Sequence, residues 1–161
     1  MATKQTRLGG FTLIELLVSV VIIGILVGAG IAAYRRFNDK QRVLAAGHAY
    51  ESLLRMAQKK AKAGDKPSSG CATLKGYRVG VTNNGSKAIL SVLCDDGTTV
   101  IYVSELNFDS DITYTSTANI DFLGLSGGVI GATSVNVSNA AGTTLFQVDV
   151  GESGSISGSE P

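Results

Sequence analysis

Few side chains in this chain are placed to do chemistry, and the first is a carboxylate in an apolar setting. Glu15 is the only charge in a run that extends from Phe11 to Tyr34. An ionised carboxylate inside a bilayer costs about 2.5–3.5 kcal/mol, so Glu15 calls for a partner and a purpose. Snorkelling toward the headgroups is the plainer alternative. Cys71 and Cys94 are the only cysteines. In an exported domain such a pair reads as one disulfide, and in a cytoplasmic one as two thiols. His48 is the only histidine and has no second imidazole for acid–base work. One histidine and two distant cysteines cannot make a zinc site. Asp95-Asp96-Gly97 and Asp109-x-Asp111 can offer carboxylates to calcium, but neither matches an EF-hand loop. Asn84-Gly85-Ser86 and Asn136-Val137-Ser138 fit the glycosylation triplet, which carries little weight alone. No serine or threonine has a base beside it, so nothing supports nucleophilic catalysis. We expect no catalytic residue, no metal and no cofactor.

Glu15 is positioned by the apolar run itself. As a helix, residues 11–34 extend about 36 Å, enough to cross a bilayer core. The stretch before it is short and basic, with Lys4 and Arg7. Gly24 and Gly28 form a G-x-x-x-G that lets helices approach closely in lipid, and Gly30 adds a third small residue. Glycines are also common in such spans for no special reason. A secretory signal peptide is a competing reading, with Gly30-Ile31-Ala32 as its cleavage site. Against it stand the internal charge and a run longer than such a segment needs. Arg35, Arg36 and Lys40 follow the span, so a count of bases does not by itself orient it.

Helical periodicity continues to about Ala63. Val43, Ala46, Gly47, Tyr50, Leu54, Ala57 and Ala61 recur at three- and four-residue steps and form one stripe. Glu51 and Arg55 stand at a favourable i,i+4 spacing on another face. Gly64–Gly70 is a loop by its composition. Beyond it the pattern is β: Gly76–Val81, a turn at Asn83–Ser86, Lys87–Cys94, a turn at Asp95–Gly97, then Thr98–Ser104, which together read as a meander. A second β group follows at 112–117, 119–123, 133–137, 143–150 and 155–157. Residues 158–161 read as a polar tail.

Charge is segregated along the chain. All fourteen Lys and Arg lie at or before Lys87, and nine of the thirteen acids lie after it. The distal half is therefore a poor phosphate binder, and nucleic acid is not an expected partner.

Gly10-Phe11-Thr12-Leu13-Ile14-Glu15-Leu16 resembles the class III signal of type IV pilins and type II secretion pseudopilins. The resemblance implies a cut between Gly10 and Phe11 by prepilin peptidase, with N-methylation of Phe11. Gly10 suits the cut because it has no side chain to shield the scissile carbonyl. The new ammonium of Phe11 then stands one turn before Glu15, free to pair with it or with a neighbouring subunit. Losing residues 1–10 removes Lys4 and Arg7, leaving 12 bases against 13 acids, a net −1. Many major pilins carry a proline near Ala32, and this chain does not. Ile120-Asp121-Phe122, Gly127-Gly128, Val135-Asn136-Val137, Phe146–Val150 and Ser153–Ile156 resemble the end of the H-type (GspH/FimT) minor pseudopilins, where this region forms a second small sheet. Ser155 stands where such relatives often place an arginine used on DNA.

We therefore expect an α+β, pilin-like fold, with a long N-terminal helix packed on antiparallel sheet. The expected parts are a leader (1–10), a transmembrane and assembly helix (11–34), an amphipathic half-helix (35–63) and a β domain (64–161). The resemblance implies a structural subunit of a pilus or secretion pseudopilus, most like a minor one; a major or DNA-uptake pilin is the alternative. Its partners would be membrane lipid, prepilin peptidase, an inner-membrane assembly platform and other subunits. It would span the inner membrane once, with the β domain outside the cytoplasm.

Overall fold

A computed structural model describes residues 10–82, 86–94, 100–114, 119–125, 128–131, 133–143 and 145–160. The leader bases Lys4 and Arg7, the turn residues Asn83–Gly85 and Asp95–Gly97, residues 98–99 and 115–118, and Gly127 lie outside it. The chain divides into two units, Met1–Asn38 and Asp39–Pro161.

In the first unit, helix α1 (Leu13–Ala63) begins. Thr12 is its N-cap. The Thr12 carbonyl accepts from the amides of Glu15 and Leu16 at 3.1 and 3.2 Å, and its hydroxyl accepts from Glu15 N–H at 3.4 Å. Thr12-x-x-Glu15 is the sequence form of a capping box, which satisfies amides a bare helix start leaves unpaired. Residues 10–31 stand exposed, with Leu13, Val20 and Ile25 among many large apolar ones.

In the second unit α1 ends at a Schellman cap. Gly64, at φ +63°, donates to the Ala61 carbonyl at 3.1 Å, and Asp65 donates to Lys60 at 3.1 Å. A side chain at Gly64 would be strained there. The expected stripe is the buried one: Val43, Tyr50, Leu54, Ala57 and Ala61 are at most 1% exposed. It faces two antiparallel sheets. The first has the order β3-β2-β1-β5-β6, with β1 Leu74–Val81, β2 Lys87–Cys94, β3 Val100–Asn107, β5 Ile120–Leu123 and β6 Val129–Ile130. The second has the order β4-β7-β8-β9, with β4 Ile112–Tyr114, β7 Ser134–Asn139, β8 Leu145–Val150 and β9 Ile156–Ser159.

The first sheet contains the expected meander, but 119–123 does not join the second group. β5 pairs with β1 instead, setting Arg78 opposite Asp121 and Tyr77 opposite Phe122. The reason is local. Arg78 Nε and Nη2 reach the two Asp121 oxygens at 2.6 and 2.7 Å, a bidentate pair on one face. On the other face Ile120 and Phe122 extend the buried surface of Val79 and Tyr77. Gly76 permits the approach, since a Cβ there would run into the Phe122 carbonyl.

Three contacts hold the C-terminal hairpin on α1. Arg55 pairs with Glu51 and also donates to the Ile156 carbonyl at 3.0 Å. Gln58 donates to the Gly154 carbonyl at 2.5 Å, and Lys40 meets Glu160 at 2.6 Å. The Arg55 hydrogen bond, with His48 adding to it, holds the Glu51 carboxyl below its ordinary range. The expected strand at 155–157 thus runs as β9 Ile156–Ser159, which takes Gly158 and Ser159 from the expected tail.

Tyr50 is fully buried, and its hydroxyl has no hydrogen-bond partner among the described residues. Burial pushes its pKa well up, so the phenol stays neutral. A buried hydroxyl left unpaired costs about 1–3 kcal/mol of desolvation. Tyr50→Phe keeps the ring against Tyr114, 5.6 Å away, and removes that cost. We expect it to raise stability by about 1 kcal/mol, read as a higher denaturant midpoint at unchanged slope.

Candidate processing and assembly site

Gly10 and Phe11 precede the helix, and both are exposed; Phe11 is 80% accessible. A Cβ built on Gly10 would meet nothing within 4 Å. The peptide bond between them is thus open chain, the form a peptidase can draw into its cleft. Because Thr12 caps α1, Phe11 lies outside the helix, and helical periodicity does not by itself bring its nitrogen to Glu15. Shifting the chain start to Phe11 would leave Thr12 free to keep its cap, with the new ammonium beside the helix N-terminus.

Glu15 occupies the third helical position. A carboxylate in the first turn is favoured by the amide dipoles that converge there. No cation lies within ion-pair distance of it among the described residues. Ser19, one turn on, donates to the Glu15 carbonyl at 2.7 Å, so its hydroxyl is satisfied within the helix. Thr12 is the residue missed from sequence; the T-x-x-E pattern was the signal for it.

Gly24 and Gly28 have open space where a Cβ would stand. Nine residues separate Glu15 from Gly24, and at about 100° per residue they fall on opposite sides of α1. Within the apolar run the carboxylate thus lies on one side of the helix and Gly24 on the other. By length and composition α1 can cross a membrane, and none of its apolar window is buried among the described residues.

Cys71 and Cys94 are joined by a disulfide with Cα atoms 5.6 Å apart. The bond ties the loop after α1 to the end of β2. Closing a loop of that size contributes about 3 kcal/mol in the chain-entropy account. The remaining sequence candidates do not converge. His48 lies 3.6 Å from Glu51 and packs edge-on against Phe146, so its role is packing. Asp111 meets Arg42 at 3.5 Å, and no group of three metal-ligating side chains forms among the described residues.

Compared with known protein families, residues 7–31 match the prokaryotic N-terminal methylation motif. The match covers Gly10, Phe11, Glu15, Gly24 and Gly28, and it supports the type IV pilin and pseudopilin family. A motif of this kind implies processing by prepilin peptidase and assembly with other subunits of the same type. With the apolar helix, it supports membrane anchoring. Comparison with curated proteins and with solved structures returns no match.

Proposed function

We propose, from this prepilin-type N-terminus, that the chain is a filament subunit stored in the inner membrane. Residues 11–34 span the bilayer once, and the β domain (64–161) faces away from the cytoplasm. Prepilin peptidase cuts between Gly10 and Phe11, and the Phe11 amine is methylated. An assembly platform then draws the helix out of lipid, and Glu15 pairs with the Phe11 ammonium of a neighbouring subunit. Such a pair neutralises two charges that are costly in an apolar surrounding and sets the axial register between copies.

The observation that carries this reading is the methylation motif on a helix whose apolar surface the rest of the chain leaves uncovered. That surface must be covered by lipid or by other helices. Within the family we assign a minor subunit of the H-type class. The likeness of residues 120–156 supports that assignment, as does the absence of proline near Ala32. Mass spectrometry of the mature chain tests the reading. We expect an N-terminal N-methyl-Phe11; a chain beginning at Ala33 would mean signal-peptidase cleavage and no anchor.

A further inference from the structure

Between α1 and the turn that joins β3 to β4 lies an open pocket of about 260 Å³. It exists because the α1 wall carries the small side chains of Ala45, Ala46 and Ala49 across from Leu106 and Phe108. The other walls are fixed from several directions. Phe108 donates its amide to the Ser86 carbonyl at 3.0 Å and stacks on Tyr114, with ring centroids 3.9 Å apart. Tyr114 in turn donates its hydroxyl to the Ala46 carbonyl on α1 at 3.3 Å. The Asp109 carbonyl accepts from Ile112 at 3.0 Å, and the Asp111 carbonyl from Ala140 at 2.8 Å. The turn that carries both acids is thus pinned at each end.

Two charges of opposite sign line this pocket, Arg42 from α1 and Asp109 from the turn. They do not pair with each other. Among the described residues, Arg42 meets only Asp111, at 3.5 Å, the outer limit of a hydrogen bond. Most of its guanidinium donors are therefore uncommitted. The Asp109 carboxylate has no partner among the described residues. A cation and an anion that share a pocket without pairing suit a ligand that carries both charges, set apart.

We propose that this pocket binds a zwitterionic phosphoester, a phosphate joined to an ammonium by a two-carbon bridge. The planar guanidinium of Arg42 matches phosphate oxygens. The Asp109 carboxylate, with the Phe108 ring in the same pocket, matches the ammonium. The alanine wall lies against the apolar bridge. An amino acid fits less well, because its two charges flank a single carbon. The space falls just below the about 300–1,000 Å³ of most small-molecule pockets, so it suits a ligand of headgroup size. Phosphoethanolamine has this chemistry, either free or as the headgroup of an ethanolamine phospholipid. The site does not depend on whether the chain polymerises.

The test uses the full chain in a maltoside detergent, which carries neither phosphate nor amine. Free phosphoethanolamine is titrated in, and its phosphorus NMR resonance is followed. We expect saturable binding, weakened about fivefold or more by Arg42→Gln and by Asp109→Asn. Both positions are exposed, so these variants should keep the Cys71–Cys94 bond and a cooperative denaturant transition. Ala49→Leu fills the pocket and should abolish binding with both charges in place. Asp111→Asn releases Arg42 from its competing carboxylate and should bind at least as well as wild type. Short-chain phosphatidylethanolamine, added below its micelle concentration, separates the two sources. Binding about tenfold tighter than that of the free compound assigns the lipid headgroup, and equal binding assigns a soluble ligand. Ethanolamine or inorganic phosphate alone binding as tightly as phosphoethanolamine would overturn recognition of two charges. Tighter binding of glycine would overturn the phosphoester. Equal affinity in wild type and Asp109→Asn, or no shift with wild type, would overturn the site.

Discussion

Glu15→Ala is expected to leave membrane insertion intact and abolish incorporation into filaments. The two effects have opposite physical signs. Removing the carboxylate relieves about 2.5–3.5 kcal/mol of insertion cost, so the variant should enter the bilayer at least as well. Under the proposed pairing it would also leave the ammonium of the neighbouring Phe11 unpaired among apolar helices, where an uncompensated charge costs about 3–5 kcal/mol. In a filament built on that pair the cost would recur at every subunit contact. Glu15→Gln, which keeps the shape and removes only the charge, should behave alike. The measurement compares the chain in membranes with the chain in sheared filaments. Equal incorporation of wild type and both variants would show that the carboxylate is not used in assembly.

The second large effect lies in the β domain. Phe146 on β8 is 2% exposed, and its ring lies flat on the α1 backbone at Gly47 and against Gly158 on β9. A Cβ on Gly47 would overlap the ring itself, not the end of a flexible side chain. Alanine for glycine inside a helix normally gains about 1 kcal/mol. Here overpacking of about 1–3 kcal/mol outweighs that gain, because the ring is confined from both sides. We expect Gly47→Ala to destabilise, and Phe146→Ala to cost about 3–5 kcal/mol through the cavity it leaves. Combining Gly47→Ala with Phe146→Leu should cost less than the sum of the two, since the smaller side chain makes room for the new methyl. Denaturant titration of the full chain in detergent gives all four values. Additive costs would mean that the two sites are not in contact.

These two sites differ in how far they can be read from sequence. Glu15 is legible because its surroundings are local: a charge in an apolar run stands out in any window. The α1 stripe from Val43 to Ala61 is legible for the same reason, as is β2, bounded by turn-forming residues on both sides. Gly47 reads only as a small member of that stripe, because the ring that demands a glycine lies a hundred residues further on. The sheet membership of β5 is hidden on similar grounds. Alternation in Ile120-Asp121-Phe122 reveals which side chains face inward but not which strand lies alongside, and the Arg78–Asp121 pair that decides it is long-range. β6, with two residues, is too short to leave a pattern. The cap at Thr12 is legible as T-x-x-E, although the apolar run begins before it at Phe11 and masks the helix start.

The path of the chain between the two sheets has a consequence for how the domain comes into being. After β3 the chain leaves the first sheet for β4, returns for β5 and β6, and departs again for β7 through β9. No single cut therefore separates one sheet from the other. The first sheet is complete only when the chain reaches Ile130, and the second only when it reaches Ser159. The domain should melt in one cooperative step, and C-terminal truncation should leave no stable remnant for a protease to spare.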